Sequence, residues 1–152
     1  MQGFLRIYRG IIRCGNRFQS VFLLIVRLYW GWLFFSGGMA KLANIDQIAH
    51  YFQTLHIPLS TLNAHLTAWT ECLGGALLLL GLASRVAAIP LILTMAVAYL
   101  TAETSALKML FSDPSIFTSR SPFLFLFASV IVFTFGPGFF SVDEFLERTV
   151  FK

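Results

Sequence analysis

Residues 21–38, VFLLIVRLYWGWLFFSGG, and residues 65–83, HLTAWTECLGGALLLLGLA, decide the fold, because each is long and apolar yet carries an ionisable side chain, Arg27 or Glu71. A charge near the centre of a spanning helix costs roughly 2.5–3.5 kcal/mol on insertion scales, so such residues face a bundle interior and find a partner. The opposite signs predict that Arg27 and Glu71 meet. At 1.5 Å per residue Arg27 lies roughly 10 Å, and Glu71 roughly 20 Å, from the same membrane face. An extended guanidinium, a bridging water or a ligand group would close that gap. Alternatively Glu71 carries a proton, since charge is costly in a dry interior. A buried carboxyl of that kind suits a proton relay or a quinone-protonating site; a pair that only fixes helix register is the structural alternative.

Working outward, two further apolar runs follow at 86–103 (VAAIPLILTMAVAYLTAE) and 121–139 (SPFLFLFASVIVFTFGPGF), while the first run extends over about 20–40. Each approaches the roughly 20 residues that span a hydrocarbon core. Only 12% of the 152 residues are charged, against about 25% in soluble domains, which excludes a well-solvated globule. The second and third runs are separated by little more than Gly81–Arg85, so they form a tight antiparallel hairpin. The expected fold is an all-α membrane protein, a bundle of four transmembrane helices. A cleavable signal peptide fits the N-terminus poorly, because the apolar run is too long and contains Arg27.

With both termini cytoplasmic, the inside collects Arg6, Arg9, Arg13, Arg17, Arg85, Arg148 and Lys152, and the outside holds Lys41, Lys108 and Arg120. This bias favours N-in, C-in. The chain then divides into a basic cytoplasmic segment at 1–19, a membrane domain at 20–140 and a short cytoplasmic helix at 141–152. The first four arginines, spaced 3, 4 and 4 apart, form one helical stripe suited to anionic headgroups, or serve as a topology signal alone. These membrane-facing charges account for the net charge of +4, so no nucleic-acid partner is expected.

Between the first two spans, residues 44–63 predict a short amphipathic outer hairpin. Asn44 or Asp46 caps a helix with Ile48, Tyr51, Phe52 and Leu55 on one face; Pro58 ends it, and Ser60 or Asn63 opens the next. Lys41, His65, Glu103 and Lys108 flank span ends on the outer side and form a secondary candidate cluster, with snorkelling as the plain alternative for Lys41. His50, His56 and His65 lack metal-ligand spacing, so no metal is expected. Cys14 and Cys72 fall at different depths and do not pair; Cys72 reads as a small packing residue. Gly37, Gly38, Gly74, Gly75 and Gly81 allow close helix approach. Gly136-Pro137-Gly138 ends the last span, and Ser141 then caps a helix with Asp143 and Glu144 in its first turn. Asp143 is expected to meet Arg85 across the inner face.

An Arg in the first span, G-G-x-x-K (Gly37, Gly38, Lys41), E-C-L-G-G-x-L-L-L-L-G-L-A-S-R (Glu71–Arg85) and G-P-G-x-x-S-V-D (Gly136–Asp143) together resemble the DoxX family. The resemblance covers about residues 27–143. It implies a four-helix bundle of the bacterial inner membrane, with Arg27, Lys41, Glu71, Arg85 and Asp143 as motif positions. Founding members are linked to a thiosulfate:quinone oxidoreductase, and others to complexes handling oxidative or thiol stress. The sequence contains no autonomous catalytic motif and no ligand set for an intrinsic cofactor, so any electron carrier, such as a quinone, is borrowed. The leading expectation is a membrane subunit or anchor of a redox complex, with a polar pocket near Glu71 and Arg27 and a redox partner protein. A small homo-oligomeric proton-coupled transporter working through Glu71 is the second expectation, and a scaffold without a ligand site the third.

Overall fold

The computed structural model describes residues 2–150, with side chains from Phe18 to Thr149. The predicted stripe of Arg6, Arg9, Arg13 and Arg17, with Cys14 and Lys152, lies outside the described side chains. All regular structure among the described residues is helical: α1 (Gln2–Ala43), α2 (Ile45–Thr54), α3 (Ser60–Leu80), α4 (Ser84–Thr101), α5 (Thr104–Lys108), α6 (Pro114–Thr118), α7 (Ser121–Phe135) and α8 (Val142–Val150). The four predicted apolar runs thus lie on α1, α3, α4 and α7. These pack in a closed ring, α1 on α3, α3 on α4, α4 on α7 and α7 on α1. Two helical stretches, Phe18–Ala43 and Ser84–Thr101, are long and apolar enough to cross a bilayer by length and composition. In α3 the polar Asn63, His65 and Glu71 dilute the apolar character, and α7 has 15 residues.

Side-chain volume sets the spacing of the ring. A Cβ at Gly38 would overlap the backbone of Cys72 and Ala68, and one at Gly75 would overlap the backbone of Gly31 and Phe35. Helices α1 and α3 therefore touch backbone to backbone, the close approach that small residues permit where water supplies no hydrophobic drive. Gly31 belongs to this seam as much as the predicted Gly38 and Gly75. Across the ring Phe34, Leu78, Leu91, Met95, Ala128 and Val132 form the buried core, with Trp30 and Phe34 edge-on to Phe125 at 5.2 and 4.7 Å. Outward, α1 presents Phe18, Phe22, Ile25, Tyr29 and Trp32, each more than half exposed. An apolar face of that length is far beyond the patches a water-soluble monomer shows, and it suits lipid.

The connections follow their local chemistry. Helix α3 ends at Gly81, whose φ of 69° is the left-handed conformation that glycine adopts without strain. Gly81 and Leu82 donate to the carbonyls of Leu78 and Leu77, closing the turn. Ser60 opens α3 as expected, and Asn63 folds back to donate to the Pro58 carbonyl at 2.7 Å. Asn44 holds the N-cap position of α2, yet its side chain bonds to the Ala40 carbonyl behind it instead of to an α2 amide. Helix α2 lies over one end of the bundle with Ala49 buried and Ile48, Phe52 and Leu55 half-buried. Ser141 caps α8 as predicted, accepting from the Glu144 amide at 3.1 Å.

Candidate functional site

The ionisable groups buried in the bundle form two separate nodes, and Arg27 and Glu71 do not pair. From Arg27 the chain runs 14 residues along α1 to Lys41, about 21 Å at 1.5 Å per residue. Glu71 finds its partner at that far end: both carboxylate oxygens accept from Lys41 Nζ at 2.5 Å. Glu71 keeps 5% of its side-chain surface and Lys41 32%. The expected pair fails because Arg27 is already satisfied by backbone, and because Lys41 turns inward instead of snorkelling. Gly37, one turn before Lys41, makes room, since its missing side chain leaves the Glu71 carboxylate 3.7 Å from where a Cβ would stand.

The first node is a clasp. Arg27, only 1% exposed, donates Nε to the Leu78 carbonyl at 3.0 Å and Nη1 to the Phe140 carbonyl at 3.0 Å and to the Pro137 carbonyl. Its planar fork thus joins α1, the end of α3 and the segment after α7, a geometry that a lysine ammonium does not reproduce. A side chain at Gly81 would collide with the guanidinium. Asp143 completes the clasp from the other side. Its carboxylate accepts from the amides of Ala83 at 2.7 Å and Ser84 at 3.1 Å, capping α4 where the helix dipole favours an anion. The expected Arg85–Asp143 pair is therefore replaced by a cap. Arg85 is exposed and lies against Gly136, and no ion pair joins it to Asp143.

The second node opens onto a cavity of about 440 Å³ lined by residues of α1, α2, α3, α4 and α7. Its walls are mainly apolar, from Leu33, Phe52, Met95 and Phe125 among others, and Lys41 and Glu71 are its charged groups. Asn63, Thr67, Thr94 and Thr101 add neutral polar groups. Small-molecule sites are roughly 300–1,000 Å³, mostly apolar, with a few convergent polar groups, and the cavity has each of these properties. The lining threonines were missed in the sequence because α3 and α4 read there only as membrane spans. Their spacing from Glu71 and from the Gly81 turn is the signal that places them opposite one another.

The predicted outer cluster divides. Lys41 belongs to the cavity, Glu103 pairs instead with Arg120 at 3.4 Å, and His65 and Lys108 are exposed. The Glu103–Arg120 bridge and the Tyr99 hydroxyl, which donates to the Phe117 carbonyl at 2.8 Å, hold the α5–α6 connection against α4. His50 and His56 are also exposed, and no three His, Cys, Asp or Glu side chains converge on a metal position among the described residues. Cys72 is buried as a free thiol in the α1–α3 seam, which fits its packing role.

An apolar helical surface facing outward, with an ion pair and a carbonyl-bound guanidinium inside, defines a helical membrane protein. Residues 22–104 match the DoxX family, and the chain belongs to that family. The match includes Arg27, Lys41, Glu71 and Arg85 and stops short of the Gly136–Asp143 motif. The chain is 30% identical over 138 residues to the "Uncharacterized membrane protein Rv3486" of Mycobacterium tuberculosis, covering 83% of this chain and 82% of that one. It is 25% identical over 133 residues to the "Putative oxidoreductase CatD" of Bacillus subtilis, covering 88% and 92%. No solved structure matches it significantly.

Proposed function

We propose that the protein is a four-span, N-in, C-in subunit of a redox complex in a bacterial inner membrane, and that its cavity receives a quinone-type headgroup. The observation that carries this reading is the Lys41–Glu71 pair at the wall of an otherwise apolar cavity. A pair serving only helix register has no need of an adjoining space; the hollow beside the clasp is lined by Pro137 and Asp143 but not by the Arg27 side chain. In the N-in arrangement the cavity occupies the outer half of the bundle, beneath α2. The oxidoreductase name carried by the Bacillus subtilis relative is consistent with redox work.

The residues present suit such a headgroup. The Lys41 ammonium donates hydrogen bonds, as a carbonyl oxygen requires, and Glu71 is placed to take or give a proton beside it. Thr67 offers a hydroxyl from α3, while that of Thr94 donates to the Pro90 carbonyl at 2.9 Å; Phe125 and Met95 offer flat and polarizable surface to a ring. A bound quinone would supply the electron-accepting chemistry; the chain's own groups bind it, orient it and hold the proton. The electrons come from a partner protein, since the sequence offers no ligand set for a carrier.

Affinity purification of tagged protein from native membranes in mild detergent, with mass spectrometry of co-purifying proteins and lipids, tests this beside Glu71→Gln. A stoichiometric redox partner and a bound quinone lost in the variant are expected. Recovery of the protein alone, as a discrete oligomer without quinone, would overturn the reading in favour of proton-coupled transport through Glu71.

A further inference from the structure

The α3–α4 hairpin is closed at one end and parted at the other. Near the turn, Leu91 fills the space left by Gly74, so that a Cβ on Gly74 would stand 2.9 Å from the Leu91 side chain. About one to three turns further out, Asn63 and Thr67 on α3 and Thr94, Ala98 and Thr101 on α4 line the cavity between them. Pro90 lies inside α4 immediately before Leu91, where the two helices begin to part. An interior proline removes a ladder hydrogen bond and bends a helix, which gives the parting a local cause.

The depth of this gap identifies what it faces. Helix α4 has 18 residues, about 27 Å at 1.5 Å per residue, close to the roughly 30 Å of hydrocarbon core. Val97 and Thr94 therefore lie about 6 and 10 Å inside its outer end, at the level of acyl chains. Val97 lines the cavity and is also 50% exposed on the outside of the bundle, so it stands on the sill between the two. Toward the aqueous side, α2 covers the cavity with Ile48, Phe52 and Leu55.

We infer that the cavity is reached from within the bilayer, through a portal between the outer halves of α3 and α4, and that its ligand is an amphipathic molecule with a hydrocarbon tail left in that portal. The inference rests on the proposed headgroup site at Lys41 and Glu71 and adds the ligand's path and its chemical class. A water-soluble substrate would meet the α2 roof, whereas a lipid-soluble one arrives at the level of Val97. Its polar end then reaches the Lys41–Glu71 pair while its tail stays among α4 side chains and lipid.

The test uses the intact protein in nanodiscs with two probes that share a benzoquinone headgroup, one with a ten-carbon tail and one with none. Partition is corrected from protein-free discs. A tail forced past an indole on the sill meets the cost of overpacking, so blocking the portal with Val97→Trp is expected to weaken the tailed probe by about tenfold or more. The tailless probe should keep its affinity, and Leu100→Trp, on the lipid side of α4, should change neither. In the unaltered protein, a photoreactive diazirine on the tail should label residues 60–67 and 94–101, which makes the test independent of how Val97→Trp folds. Unchanged binding of the tailed probe in Val97→Trp, or tail labelling confined to other helices, would overturn the portal while Glu71→Gln still abolished binding. Failure of both probes to bind the unaltered protein would overturn the headgroup site and the portal with it.

Discussion

The two ends of the bundle solve the same problem in opposite ways. At the Arg27 end a buried cation is surrounded by carbonyls of Leu78, Pro137 and Phe140, and Asp143 caps the neighbouring helix with its carboxylate. At the Lys41 end a buried anion is held by one flexible ammonium, beside a cavity of about 440 Å³. A guanidinium satisfied by backbone is fixed as soon as the chain folds. A carboxylate held by a single lysine can exchange that partner for a ligand or a proton. The difference separates a structural charge from one available for chemistry, although both residues break an apolar span in the same manner.

Removing the cation at the first end is the most severe way to break the comparison. Arg27→Met removes the donor to the Leu78, Pro137 and Phe140 carbonyls and should cost about 3–5 kcal/mol, since hydrogen bonds to a charged group are each worth about 1.5–3 kcal/mol. Loss of the discrete species in size-exclusion chromatography, with protease access to residues 136–150, would show it. Arg27→Lys should rescue only in part, because an ammonium lacks the fork. If Arg27→Met folds as well as the unaltered protein and loses only ligand binding, the clasp is a site after all.

At the second end the pattern should be reversed. Lys41→Met alone leaves the Glu71 carboxyl without its partner, and thermal unfolding should fall by about 1–3 kcal/mol, the cost of an unsatisfied buried group. Adding Glu71→Leu should restore most of that loss, because a buried pair can be replaced by apolar side chains at little cost. The non-additivity, measured in a double-mutant cycle, is the signature of a direct pair.

Smaller effects sharpen the comparison by testing the frame around each node. Gly75→Val drives a branched side chain into the backbone of α1 and should destabilise by about 1–3 kcal/mol, the usual cost of overpacking. Asp143→Ala removes the cap of α4 and should cost about 1 kcal/mol, without altering ligand affinity. An equal loss of binding in Asp143→Ala would mean that the two ends are coupled.

The sequence made the helices legible because membrane spans announce themselves by length and apolarity, and it located the Gly81 turn, the Ser141 cap and most of the glycine seam. The short α5 and α6 passed unread, since five-residue helices carry too little periodicity. Of the candidate site, Glu71 and Lys41 were each singled out, but they were assigned to different places. Partner choice failed because complementary sign is a weak guide when backbone carbonyls compete. Two of the three carbonyls that bind Arg27 come from the turn after α7, at least 110 residues away in sequence, and a carbonyl has no identity in a one-letter code. Asp143 was misassigned to Arg85 for the same reason, since its true partners are the amides of Ala83 and Ser84. The cavity arises from the parting of α3 and α4, a property of packing that no single segment encodes.

The most direct test of the division of labour is quinone content, measured by mass spectrometry beside thermal stability, for Lys41→Met/Glu71→Leu purified from native membranes. The expected result is a folded protein with a melting temperature close to that of the unaltered chain and no bound quinone. A double variant that keeps its quinone, or one that fails to fold as Arg27→Met does, would contradict the assignment of function to the Lys41–Glu71 end.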